Sequence, residues 1–330
     1  MIYPWQQNIW QHLINSALSQ RLPHALLLTG MAGLGKRDFA ETLARGLLCT
    51  KHQIAIHHQN HHDCRCHSCL LILGRTHPNV YWIEPEKEGH PIKVDAIREG
   101  CDFVMQTSAA SGFRFLIIYP ANKMNLNAAN ALLKTLEEPP RDAVLILISD
   151  QDAYLPATIV SRCQRVIFSK PSKQLAVTWL QNQTKKEGQD WSLLLALTNG
   201  SPLAALALAE NDSWASRPIL FNNLQSFAMK QGNPIQAAQQ LQDLDLITFL
   251  DWMTSCIMDV MRAQVGAQAF LNNHDQTETI IMLAKQTQLS VMNQMLSNLN
   301  FYRDQLLRGI NLNKNLLMEH IFIRFMESTT

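Results

Sequence analysis

Residues 25–37 read ALLLTGMAGLGKR. Ala25 to Thr29 form an unbroken apolar run of the kind a strand shows when both faces of a parallel sheet are covered. The run stops at Gly30, and Gly33, Gly35 and Lys36 follow. Beyond them, Phe39, Leu43 and Leu47 recur four residues apart in KRDFAETLARGLLC, which predicts an amphipathic helix. A strand, a glycine loop and a helix are the setting in which G-x-x-x-x-G-K-[ST] holds phosphate. Backbone N–H groups converge on the anion at the helix N-terminus, and the lysine adds a point charge. Gly30, Gly33, Gly35 and Lys36 are therefore candidate phosphate-binding residues. The last position of the pattern, however, is Arg37.

Working outward, apolar runs recur at VYWI (80–83), FLIIY (115–119) and VLILIS (144–149). Between the last two, NLNAANALLKTLEE reads as a helix over 126–138 that Pro139 and Pro140 stop. This alternation predicts an α/β domain around a parallel sheet over residues 1–168. After SKPSK (169–173) the strand-like runs cease. The predicted plan continues with a small helical domain over 169–207 and an all-α domain over 208–330. In the latter, Leu246, Leu250, Met253, Ile257 and Val260 make one apolar stripe, and Leu316, Leu317, Ile321 and Phe325 another.

With 28 basic and 27 acidic residues the net charge is +1, histidines neutral. A protein that grips nucleic acid unaided carries a stronger basic footprint, so contact with nucleic acid is expected only when shared with partners. MIYPWQQNIW lacks the charged start and apolar core of a signal peptide, and no apolar stretch is long enough to span a bilayer. The expectation is a soluble cytoplasmic protein with no membrane partner.

Arg37 bears on chemistry. In a hydrolysing phosphate loop the residue there supplies a hydroxyl to Mg²⁺, and an acid at the end of a neighbouring strand supplies a second ligand. FLIIY is followed by Pro120 and Ala121, with no carboxylate between Phe113 and Glu137. Both halves of the metal site are missing, so ATP and Mg²⁺ are not expected to react here.

Of seven cysteines, four fall at Cys49, Cys64, Cys66 and Cys69. In a cytosolic chain such clustering points to metal rather than disulfides. Cys66 and Cys69 have the C-x-x-C spacing of a structural zinc turn, which four soft ligands complete. Cys64 stands one residue too near Cys66 for a second such turn. His57, His58, His61 and His62 lie in the intervening segment, and any of them could replace a cysteine. Further along, PATIVSRCQR (156–165) places Arg162 near the end of the α/β domain. By itself it reads either as a solvated charge or as an arginine finger for a neighbour's phosphate.

Taken together, THPNVYWIEPE (76–86), NAANALLKTLEEPP (127–140), PATIVSRCQ (156–164) and the cysteine cluster occur in an order that resembles bacterial clamp-loader subunits of the AAA+ class. The resemblance implies an AAA+ RecA-like domain, a small helical lid and an all-α collar. It also implies membership of the DNA polymerase III holoenzyme, in a five-subunit ring with motor ATPase subunits and delta. That hetero-oligomer opens the sliding clamp and places it on primed DNA. The resemblance further implies a rigid, non-hydrolysing role, with Ser161, Arg162 and Cys163 matching the Ser-Arg-Cys sequence whose arginine completes a neighbour's ATP site. Cys49, Cys64, Cys66 and Cys69 match the family's zinc module apart from the short Cys64–Cys66 spacing. Active relatives carry an arginine after Gly-Ser in the second domain, where this chain has Gly200, Ser201, Pro202 and Leu203. An active motor subunit, or a zinc-containing nucleic-acid-binding scaffold outside replication, are the competing readings.

Overall fold

Leucine and isoleucine on both faces of short strands force those strands into the middle of a layered domain. The computed structural model describes residues 2–51, 64–87, 90–106, 112–150, 155–184, 188–307 and 310–329. The chain divides into two compact units, Met1–Leu175 and Ala176–Thr330.

In the first unit the elements run α1 (Gln7–Leu18), β1 (Ala25–Thr29), α2 (Lys36–Leu48), α3 (His67–Leu73), β2 (Val80–Ile83), α4 (Val94–Met105), β3 (Arg114–Ile118), α5 (Leu126–Glu137), β4 (Ala143–Ser149), α6 (Ala157–Val160) and β5 (Gln164–Ile167). The five strands form one sheet in the order β2-β3-β4-β1-β5, and every pairing is parallel. The strands alternate their side chains between two cores. Leu27, Leu116, Ile118, Leu145 and Leu147 pack against Ile97 of α4 and Leu132 of α5. Leu26, Leu28, Phe115, Ile117 and Ile146 pack on the other side against Leu13 of α1, Phe39 and Leu43 of α2 and Ile72 of α3. The expected α/β phosphate-loop fold is therefore present. Because Leu26 is paired with Ile146 and Thr29 with Ser149, the carboxyl ends of β1 and β4 lie side by side. Ligands of open parallel sheets bind at that edge, where successive connections diverge.

Several elements escape the sequence reading, α1, α3, α4 and β5 among them. β5 is short and largely exposed at the sheet edge, so QRVI carries no burial pattern. α4 lies between two recognised strands, in a segment for which the sequence reading gives no helix.

The second unit is entirely helical among its described residues: α7 (Lys173–Gln183, which begins just before the unit boundary), α8 (Trp191–Leu197), α9 (Pro202–Glu210), α10 (Ser216–Ala228), α11 (Pro234–Gln240), α12 (Leu246–Gln264), α13 (Thr277–Gln286), α14 (Leu289–Leu307) and α15 (Lys314–Ser328). One core runs from Leu220 to Phe325, and Leu208 of α9 packs against it. Leu250, Met253, Ile257 and Val260 are buried in it as the stripe predicts, with Leu246 at its border. The α15 stripe needs one correction. Leu316 is exposed, and the buried face is Leu317, Met318, Ile321, Phe322 and Phe325. Spacings of three and four residues keep side chains on one face, and Leu316 falls outside that series. Among the described residues no single helix is long and apolar enough to cross a membrane.

A buried polar network fixes the segment between α12 and α13. Asp259, fully buried, accepts from the Asn273 backbone N–H (2.7 Å), the Asn273 side-chain amide (2.8 Å), the Asn272 N–H (3.1 Å) and Arg262 (2.7 Å). Buried Arg217 lies over the rings of Trp214 and Phe221 and donates to Asn273 Oδ1 (2.8 Å) and to both oxygens of Asp275. Removing the acceptor would strand several buried donors at once. Asp259→Ala should therefore lower stability by about 3 kcal/mol, measured by urea unfolding followed through tryptophan fluorescence.

Candidate functional site at the carboxyl edge of the sheet

The loop from Gly30 to Lys36 leaves β1 at the sheet's carboxyl edge and enters α2. Two of its glycines are compelled by space and conformation. Gly30 has φ of 140°, and a Cβ there would come within 2.5 Å of the Phe168 carbonyl oxygen. Gly35, in the left-handed region at φ 78°, would drive a Cβ to 2.3 Å from the Tyr3 ring.

Lys36 is buried and folds back over its own loop. Its ammonium donates to the carbonyl oxygens of Gly30 (2.6 Å) and Met31 (2.7 Å) and pairs with Asp150 Oδ1 at 2.6 Å. An ammonium has three N–H donors, so these partners use them all. Burial pulls the lysine pKa down, and the Asp150 carboxylate opposes that pull. Asp150 directly follows β4, whose carboxyl end adjoins that of β1.

Arg37 points elsewhere. Its guanidinium pairs with Glu84 Oε1 at 2.7 Å and lies over the rings of Trp82 and Tyr119. Arg75 occupies the other Glu84 oxygen and also stacks on Trp82. Beyond β3 the chain offers Pro120 and buried Ala121 where an acid would be needed.

The N-terminal segment covers the loop. The Gln6 side-chain amide donates to the carbonyls of Leu34 (2.8 Å) and Gly35 (3.1 Å), and the Trp5 indole donates to Leu34 O (3.0 Å). Tyr3 stacks on Trp5, and its hydroxyl donates to Asp38 Oδ2 at 2.6 Å. Burial and the Asp38 carboxylate both push the Tyr3 phenol pKa upward.

The cysteines converge. The sulfurs of Cys49, Cys64, Cys66 and Cys69 all lie within 4.8 Å of one another, with Cys49 at 3.6 Å from Cys64 and 3.7 Å from Cys66. Burial raises the Cys66 pKa, but the Cys69 N–H and Thr50 donors outweigh it and hold the thiol down at about 5. Cys69 moves up through burial and its sulfur neighbours. Four soft donors packed together around one point suit a metal ion. A relay braces the group from behind. Asn79 N–H donates to His77 Nδ1, so Nε2 carries the proton and donates to Ser68 Oγ, which donates to Leu48 O beside Cys49. His57, His58, His61 and His62 lie outside the described residues.

Arg162 follows α6 with its side chain 36% exposed. Its Nη2 and Nε reach Glu137 Oε1 at 2.6 and 2.9 Å, and Nη1 donates to Thr158 O at 3.0 Å. TLEEPP and SRC, separate in sequence, thus meet in space. Cys163 is buried, which pushes its thiol up to about 11. In the second unit Ser201 precedes α9, with Pro202 in its first turn and Leu203 after it.

Sequence reasoning missed Asp150, Glu84 and the Tyr3–Trp5–Gln6 segment. Asp150 had a legible signal, since an acid directly after a buried strand stands at the ligand-binding edge. Glu84 and the N-terminal aromatics had none, because their partners are distant in the chain.

Comparison with known proteins bears on the whole length. A family model described as DNA polymerase III, delta subunit, matches residues 5–172, and a second, for the C-terminal part of the delta subunit, matches 211–327. The DNA polymerase III subunit delta' of Pseudomonas aeruginosa is 34% identical, covering 98% of this chain and 97% of its own. That of Escherichia coli is 31% identical over 98% and 94%, and that of Bacillus subtilis 30% over 98% and 96%.

The closeness of Tyr3 to the loop can be probed directly. Gly35→Ala combines a left-handed φ with a clash against the Tyr3 ring. It should cost about 2 kcal/mol or more, seen as a lowered thermal midpoint.

Proposed function

The chain belongs to the DNA polymerase III subunit delta' family, and we propose that it is a non-hydrolysing subunit of a clamp loader. In this reading it works in the cytoplasm within a five-subunit ring, beside motor ATPase subunits and delta, and helps to place a sliding clamp on primed DNA. Residues 1–168 are the AAA+ domain, 169–207 the lid and 208–330 the collar through which it assembles. Contact with DNA is shared with the rest of the ring, in keeping with a net charge of +1.

One observation carries the non-hydrolysing part. At the position where a hydrolysing loop offers Mg²⁺ a hydroxyl, Arg37 has none, and its guanidinium is committed to Glu84 and stacked on Trp82 and Tyr119. The absent acid after β3 points the same way. Such a chain serves hydrolysis by completing another subunit's site. Arg162 suits that part: it is partly exposed, permanently charged, and able to fork onto two phosphate oxygens. Its guanidinium already pairs with an anion, the Glu137 carboxylate, whose place a phosphate would take.

Zinc is the metal that best suits the cysteines. Four thiolates at about 2.3 Å from a tetrahedral zinc lie about 3.8 Å apart, close to the 3.6 and 3.7 Å separations among Cys49, Cys64 and Cys66. With Cys49, Cys64, Cys66 and Cys69 all engaged, no position is left for substrate, so the metal's role is structural.

Arg162→Ala should leave the chain folded and the ring assembled while slowing the neighbour's hydrolysis, on the order of 10³-fold at that one site. Clamp- and DNA-stimulated ATPase of the reconstituted loader measures this, with assembly followed by gel filtration. Lysine should rescue poorly, and an unchanged rate in an intact ring would refute the assignment. Metal analysis of protein purified without chelator should find one zinc per chain. Cys64→Ser should reduce it, and full retention of zinc would instead implicate a histidine such as His62.

A further inference from the structure

The geometry points to Asp150 as an internal anion that occupies the phosphate loop in place of a polyphosphate. The inference rests on the reading that this loop does not turn over ATP, and it adds that the loop's own carboxylate partner competes with nucleotide for Lys36. Lys36 has three N–H donors. Two go to the loop's own carbonyls at Gly30 and Met31, and the third goes to Asp150. A phosphate oxygen has no donor on Lys36 left to accept from unless the carboxylate yields.

The surrounding charges reinforce the closure. Arg37 has its positive charge compensated by Glu84. Asp38, in the first turn of α2, adds a second carboxylate at the helix end where an anion would arrive. It accepts from the Tyr3 hydroxyl, and Tyr3, Trp5 and Gln6 hold the N-terminal segment against Leu34 and Gly35. Each cation of the loop is thus matched by a carboxylate of the same chain. Asp150 directly follows β4, the strand next to β1, so the sheet places the carboxylate beside the loop.

Removal of this one carboxylate should turn the loop into a polyphosphate site while leaving it inactive, since no metal ligands are restored. The test is isothermal titration of the full-length chain with inorganic pyrophosphate and with ATP, without chelator so that the cysteine cluster is undisturbed. Wild-type protein should bind either ligand at least tenfold more weakly than Asp150→Ala, about the value of one charge-assisted hydrogen bond. Adding Lys36→Met to Asp150→Ala should abolish the gain, and ATP turnover should stay at background throughout. If thermal melting shows Asp150→Ala unfolded, the isosteric Asp150→Asn carries the same expectation. Equal binding by the wild-type and folded variant, or no binding by either, would overturn the inference. ATP turnover by the wild type would overturn the non-hydrolysing reading itself, and so the two failures are distinct.

Discussion

A buried ammonium must use its hydrogen-bond donors, because an uncompensated charge away from water costs several kcal/mol. At Lys36 that requirement is met within the chain, by two carbonyls of its loop and by the carboxylate that follows β4. The same three contacts tie the loop to itself and to the neighbouring strand. In a hydrolysing relative of such a fold the lysine contributes to binding a ligand that comes and goes. Here its partners are covalently part of the protein, so the loop acts as a fixed corner of the domain.

The cations around that corner follow one logic. Arg37 and Arg75 share Glu84 and both lie against Trp82. Arg75 stands just beyond α3, the helix that carries Cys69, while Arg37 is the second residue of α2, which ends beside Cys49. Arg37 thus helps to fasten the cysteine module to the phosphate loop. The His77–Ser68–Leu48 relay braces the same module from its other side. The salt bridges are partly exposed and modest individually, but the stacking on Trp82 holds both guanidiniums in one geometry.

The helical unit solves a different problem by the same means. Its core of Leu220 to Phe325 is built from buried apolar side chains, and the segment before α13 reaches it through Leu271. Asp259 and Arg217 anchor that segment as well, one as a buried acceptor for backbone and amide N–H groups and the other as a donor to Asn273 and Asp275. The buried Asp259 carboxylate is tolerated because both of its oxygens accept hydrogen bonds, and Arg217 because its two terminal nitrogens donate to Asn273 and Asp275.

Local pattern was enough for much of this. The run ALLLT, the glycines and Lys36 specify a buried strand, a turn and a helix start by sterics and hydrophobic periodicity alone. The same kind of signal located β2, β3, β4 and α5, the all-helical character of the described residues after 173, and a C-x-x-C pair waiting for partners. That Arg37, Pro120 and Ala121 carry neither hydroxyl nor carboxylate was equally plain, since a functional group is a property of the residue itself. Tertiary structure decided which groups meet. β5 had too little burial to leave a pattern, and the exposed place of Leu316 depended on which face of α15 found the core. The pairings Lys36–Asp150, Arg37–Glu84, Arg162–Glu137 and Tyr3–Asp38 join residues that no spacing rule connects. They arise because a parallel sheet gathers the ends of distant strands at one edge, and electrostatics there is settled by proximity in space rather than order along the chain.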